Sequence, residues 1–214
     1  MPSTALRFAW SVILAVAVVV SGCESTVSGL AVAGPERLEC GRADAPLWTI
    51  PLVVRGMPRV AVPLPPGWIS RAEKAHVVPV DPTRGAGVTI GNPSLKVAGD
   101  VPTLLVNIDS FEPDAVGLGD TEQRGLDELI ADIAHSSRII TQRSGLVCGH
   151  PSVTVQYVNR GREALARIVA TRTGDGRVWR VWLNFLSRDP RNPQWVKDIQ
   201  TMLDGLVVNE TSVR

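Results

Sequence analysis

The chain has 214 residues and a mass of 23.0 kDa, with 44% hydrophobic and 20% charged residues. That is a globular composition with room for one domain and one core. Lys and Arg number 22 against 21 Asp and Glu, a net charge of +1, which lacks the basic footprint of a nucleic-acid binder. Three cysteines are too few for a disulfide scaffold.

Met1 to Arg7 forms a short basic start, and Phe8 to Val20 is an apolar run broken only by Ser11. As a helix this run covers roughly 20 Å, short of the about 20 residues a membrane span needs. Residues 1–22 therefore read as a signal peptide. Val20-Ser21-Gly22-Cys23 resembles the bacterial lipobox, in which an aliphatic residue and two small ones precede a cysteine. Cys23 is then the lipidation site: its thiol takes a diacylglyceryl group before cleavage in front of it, and palmitate-type acyl chains follow. An ordinary signal peptide would need a small-x-small cleavage site, which Val19 to Ser21 supplies poorly. Two acyl signals give stable anchoring. The expected location is the cell membrane, lipid-anchored on the extracytoplasmic face.

That compartment is oxidising. With Cys23 acylated, Cys40 and Cys148 remain, and two cysteines in an exported domain read as one disulfide. A metal site from Cys40, Cys148 and His150 has three protein ligands, one short of the four that a structural zinc site takes; His76 and His135 stand apart. No metal is expected.

Residues 23–46 are rich in Gly, Ala, Ser and Pro and read as a flexible, lipid-anchored tether. The single folded domain is expected over 47–209, with a tail at 210–214. Arg59 to Pro63 alternates as a strand and then meets the turn signal Pro65-Pro66-Gly67-Trp68. Gly85 to Ile90 and Thr103 to Ile108 are further strands. Asp120 to His135 carries Leu126, Leu129, Ile130 and Ile133 on one stripe, with Asp120 as its cap and Gln123 completing a capping box. Ser152 to Tyr157 and Ala164 to Thr173 are strands, and Gly174-Asp175-Gly176 turns the chain into the returning strand Val178 to Leu186. Asn192-Pro193 opens a last helix. Val178 to Leu186 is apolar in both parities, so it is central and covered on both sides. The fold class is α+β, an antiparallel sheet with helices on both faces, an α/β/α sandwich.

The lipobox, the tether, Val-Pro-Leu-Pro-Pro-Gly-Trp at 62–68, Gly-x-Pro-Ser at 149–152, the Gly174 hairpin and the closing Asp-Gly-Leu-Val-Val at 204–208 together resemble the LpqN/LpqT lipoprotein family of mycobacteria, over about 58–209. That family is similar in fold to PsbP-like domains, with an antiparallel sheet between helices. The resemblance implies no catalytic residue and no cofactor, and an accessory or binding role. It supplies no counterpart for the Cys40–Cys148 pair.

The chemistry is consistent with this. No nucleophile elbow, zinc-protease helix motif, P-loop or dinucleotide fingerprint occurs. A hydrolase built on His150 and Ser152 would place base and nucleophile almost adjacent at a strand entry, where they point apart. Asp100 to Asp132 holds nine acidic residues and one Arg, whereas Arg160 to Arg191 holds eight Arg and three acids. Arg160, Arg162, Arg177 and Arg180 are candidates for an anionic-ligand face; the alternative is that the two segments neutralise each other. Trp68, beside a Pro-rich turn, is a candidate for lining a pocket or interface, against packing in the core. Two functions stay open: a non-enzymatic interaction or accessory domain for an envelope or extracellular protein, and a carrier or chaperone for an envelope lipid or glycolipid. The membrane, through Cys23, is the other expected partner; nucleic acid is not one.

Overall fold

The computed structural model describes residues 37–38, 40–41, 43–70, 85–111 and 121–209. The expected signal peptide, Cys23, the cap at Asp120 and the tail lie outside the described residues. In chain order the elements are β1 (Arg37–Leu38), β2 (Leu47–Thr49), β3 (Arg59–Pro63), β4 (Ile69–Ser70), β5 (Gly85–Gly91) and β6 (Thr103–Phe111). There follow α1 (Thr121–Ser136), β7 (Arg138–Val147), β8 (His150–Asn159), β9 (Arg162–Arg172), β10 (Val178–Leu186), α2 (Pro193–Asp204) and β11 (Val207–Asn209).

The main sheet has eight strands in the order β1-β7-β8-β9-β10-β6-β5-β4, and a second sheet has three in the order β11-β3-β2. The chain is α+β and mostly antiparallel. One pairing departs from the expected antiparallel sheet: β1 runs parallel to β7, with Arg37 opposite Leu146 and Leu38 opposite Val147.

β10 organises the interior. Trp179, Val181, Leu183 and Phe185 point to one face, where they join Trp195, Ile199, Met202 and Leu203 of α2. Val60 and Val62 of β3 and Val208 of β11 belong to the same cluster. Trp182 and Leu186, of the other parity, pack at the edge of a second cluster. There Leu126, Leu129 and Ile133 of α1 meet Val153, Val155 and Tyr157 of β8 and Ala164, Ala166, Ile168 and Ala170 of β9. The alanines lower the sheet surface so that α1 can seat close to it. Each large side chain so buried contributes about 1.5–3 kcal/mol. The α2 layer is therefore shared with a small sheet, which the sequence reading, with its helix-only layers, did not contain.

The turns follow from backbone chemistry. Cys148-Gly149 and Arg160-Gly161 both have positive φ at both residues, the requirement of the two-residue hairpin turn whose twist matches the strands. Asn192 Oδ1 accepts from the backbone N–H of Gln194 at 3.0 Å and of Trp195 at 3.2 Å, with Pro193 as the first helical residue. At the other end of α2 Gly205 is a close approach. A Cβ there would lie 2.3 Å from Pro63 Cγ and 2.4 Å from Ala43 Cβ.

The Cys40–Cys148 disulfide is formed, bridging a sequence separation of 108. It lies beside β1, and Cys40 and β1 both belong to the segment 23–46 expected to be a flexible tether. From Arg37 onward that segment is attached, by ladder hydrogen bonds and by a covalent bond. β7 was also absent from the expected strands, because Thr141, Gln142, Arg143 and Ser144 give it no apolar alternation.

Two stability measurements check this packing. Reduction of the disulfide is expected to cost about 2–4 kcal/mol, the usual range for a long closed loop, read as a lowered urea midpoint together with new labelling of Cys40 and Cys148 by a thiol reagent. Gly205→Ala is expected to cost about 1–3 kcal/mol through overpacking against Pro63 and Ala43. An unchanged midpoint would show that the close approach is absent.

Candidate functional site

The Pro-rich turn after β3 delivers Trp68 inward. Trp68 N–H donates to the Pro65 carbonyl at 3.2 Å, and Gly67 between them takes φ +86°, a conformation open to glycine. Trp68 is only 4% exposed and stacks on Trp195 with ring centroids 5.5 Å apart. Trp195 in turn meets Phe185 edge-on at 6.5 Å. The Trp68 indole N–H needs an acceptor once buried, and Asp198 Oδ2 supplies it at 2.7 Å. Gln194 Nε2 donates to the other oxygen of Asp198 at 2.7 Å. Trp68 is thus a core residue with one polar atom turned toward α2, and no part of an exposed aromatic patch.

Asp198 also lines an open cleft of about 730 Å³ along the outer side of α2, together with Asp44, Asn92, Gln194, Lys197 and Asp204. Its walls offer carboxylates, amides, hydroxyls and one ammonium beside the apolar Ala43, Ala45, Pro65 and Pro66. No nucleophile is paired with a base there. His150 Nε2 lies 3.4 Å from Thr171 Oγ1, whereas Ser152 Oγ has no hydrogen-bond partner, so the two do not form a nucleophile–base pair. Among the described residues no group of three His, Cys, Asp or Glu is placed to hold a metal ion.

The candidate arginines are distributed, and most of them meet acids. Arg180 sits opposite Asp109 in the β10–β6 register. Its Nε donates to Asp109 Oδ2 at 3.1 Å and its Nη2 donates to the same oxygen; Nη1 stands 3.7 Å from Glu128, and the guanidinium lies over Phe111 at 5.2 Å. Arg162 Nη1 is 3.3 Å from Asp100, and Arg188 Nε donates to the same carboxylate at 3.0 Å. Arg177 meets Asp175 within its own turn at 3.6 Å. Arg160 is exposed at the β8–β9 turn. Arg160 and Arg162 stand at one end of β9, and Arg177 and Arg180 lie toward the other, roughly 33 Å away for a strand of this length. The structure thus brings Arg162, Arg180 and Arg188 onto acids of the 100–132 segment. It does not gather the four candidates into one patch.

A different polar strip escaped the sequence reading. On β8, Ser152, Thr154 and Gln156 are 2%, 8% and 3% exposed, and all point to the face opposite α1. Arg167 of β9 stands directly opposite Thr154. Burial lowers the Arg167 pKa to about 10, with the charge of Asp204 acting against that shift. The guanidinium therefore stays charged at neutral pH. The alternation Ser-x-Thr-x-Gln looks like a solvated strand face, so in the sequence nothing distinguishes this buried strip from an exposed one.

No family model and no curated protein sequence matches the chain. Among solved structures, LpqN of Mycobacterium tuberculosis, described as involved in cell envelope biogenesis, superposes with a TM-score of 0.53 at 15% identity, covering 78% of this chain and 93% of that one. The solution structure of cyanobacterial PsbP (CyanoP) from Synechocystis sp. PCC 6803 gives a TM-score of 0.43 at 18% identity, over 70% of this chain and 86% of that one. The chain has an LpqN-like fold.

The pairing geometry separates the arginines by stability. Arg180→Ala is expected to cost about 1–3 kcal/mol, because it strips a half-buried carboxylate of its donors. Arg162→Ala, an exposed pair, should stay within about 0.5 kcal/mol. Asp198→Ala, which orphans the Trp68 indole N–H, should again cost about 1–3 kcal/mol. Chemical denaturation of the three variants reads all of this, and equal losses for Arg162 and Arg180 would contradict the assignment.

Proposed function

We propose that the chain is a lipid-anchored, non-enzymatic cell-envelope lipoprotein whose single domain serves as an accessory or interaction module for a protein partner in the envelope or outside the cell. Cys23 holds it to the membrane, and the residues between Cys23 and Arg37 set its reach. The LpqN-like fold supports an envelope role, since LpqN is described as involved in cell envelope biogenesis.

The observation that carries the choice of partner is the cleft around Asp198. An acyl-chain carrier needs a cavity walled by apolar side chains. This open cleft sets Asp44, Asn92, Gln194, Lys197, Asp198 and Asp204 beside Ala43, Ala45, Pro65 and Pro66, a mixed wall that suits a protein loop better than an acyl chain. The Trp68–Trp195–Phe185 stack behind it is filled and gives the wall rigidity. The lipid-carrier reading is therefore second.

Two variants test the reading. Cys23→Ala is expected to leave an unprocessed chain that no longer enters the detergent phase as the lipidated form does; unchanged acylation and partitioning would end the anchoring claim. Thr201→Arg combined with Lys197→Glu fills and recharges the cleft at positions exposed or half-exposed to solvent. Stability should stay within about 0.5 kcal/mol, while proteins crosslinked to the wild-type chain in native membranes should drop out of the variant's isolate. Loss of a stoichiometric lipid from that isolate, with the protein set unchanged, would replace the accessory reading by the carrier.

A further inference from the structure

The far face of β8 and β9 carries a charge and two polar groups whose hydrogen-bonding capacity the fold leaves unused. Arg167 Nε, Gln156 Nε2 and Ser152 Oγ are buried without any hydrogen-bond partner. They are neighbours by register: Thr154 faces Arg167, and Ser152 and Gln156 flank Thr154 at the two diagonal positions on the same face. Such diagonals lie about 7–8 Å apart, within reach of long side chains. Arg143 of β7 faces Thr154 from its other side, so a row of Arg143, Thr154 and Arg167 crosses three strands. Glu163 shares the face farther along β9, and Asp204 of α2 acts on Arg167 through space while its own Oδ1 is engaged by Gln200 Nε2 at 2.6 Å.

Leaving one such group unmade costs about 1–3 kcal/mol, and more when it is charged. The buried atoms of this face are donors around Arg167, with the Glu163 carboxylate as an acceptor beyond Gln156. Arg167 Nε and Gln156 Nε2 are donors only, and Ser152 Oγ is able to donate. A guanidinium with its Nε free is set for side-on, bidentate pairing with an oxyanion, which uses Nε and one Nη together. Arg167 is half-buried, whereas Ser152 and Gln156 are fully covered, so the guanidinium is the member that a ligand meets first.

We propose that this face is a binding site for a phosphate group, held by Arg167 through Nε and Nη and by Gln156 Nε2 and Ser152 Oγ. The phosphate is carried either by a lipid headgroup or by a small soluble molecule. The site is separate from the cleft around Asp198 and does not depend on the accessory reading or on anchoring at Cys23.

Isothermal titration of the full chain in a neutral-headgroup detergent tests it with four probes: inorganic phosphate, glycerol phosphate, short-chain phosphatidylglycerol and short-chain phosphatidylcholine. The expected result is saturable binding of at least one phosphate probe, weakened at least tenfold in Arg167→Gln and in Gln156→Leu but unchanged in Arg162→Gln. Arg167→Lys keeps the charge and loses the fork, and it should also weaken binding by more than threefold. Its thermal midpoint identifies whether the fold has survived substitution. Binding of inorganic phosphate or glycerol phosphate equal to that of phosphatidylglycerol assigns a soluble source. Binding of both phospholipids but of neither small anion assigns a lipid headgroup. No binding of any probe, or binding that Arg167→Gln leaves intact, overturns the proposal.

Discussion

Burial of β10 on both faces is the constraint from which the rest of the architecture follows. A strand with Trp179, Val181, Leu183 and Phe185 on one side and Trp182 and Leu186 on the other cannot sit at an edge or face water. It takes a place between β9 and β6 and demands two covering layers. α1 meets the demand on one face; α2, β3 and β11 meet it together on the other. Because the layers are independent, the chain between them is free to carry polar features that neither core uses. The cleft beside α2 and the polar strip on β8 are both of this kind.

Charge is arranged by the same register. Arg180 belongs to the α1 face of β10, where a bare cation would oppose Leu126 and its neighbours. Asp109, directly across on β6, neutralises it, and Phe111 supplies an aromatic floor. Arg162, Arg180 and Arg188 of the basic segment thus meet Asp100, Asp109 and Glu128 of the acidic one. Part of the partner-steering potential that each would exert alone is cancelled within the fold. On the opposite face the Nε of Arg167 is buried without a hydrogen-bond partner.

Legibility in the sequence tracks how local the determining interaction is. The start of α2 was readable because Asn192 and Pro193 are adjacent. The centrality of β10 was readable because its own nine residues carry it. β7 was not, since its polar residues lie at a sheet margin where alternation is relaxed, and the three-stranded sheet was not, since Leu47–Thr49 and Val207–Asn209 are too short to show a period. The arginine pairings required the register of β10 on β6, which a turn signal alone does not give. The cleft required Trp68 and Asp198 to be known as neighbours across 130 positions. Of the candidate residues, Cys40 and Cys148 were legible because only one pairing remained once Cys23 was set aside.

The junction of β1 with the disulfide also has a mechanical side. A pull on the chain from upstream enters the fold at Arg37 and Leu38, whose bonds to β7 run across the strands in a parallel pairing, so a load along β1 shears them together rather than unzipping them one by one. Any load that passes them reaches Cys40 and crosses the S–S bond to Cys148, at the tight turn between β7 and β8. Force is thereby delivered to the main sheet, and the small sheet, which begins at Leu47, is spared. With the bond intact, the domain hangs from its broad sheet as a rigid pendant. With it reduced, a pull that has freed β1 would pass Cys40 and act next on β2, at the edge of the small sheet.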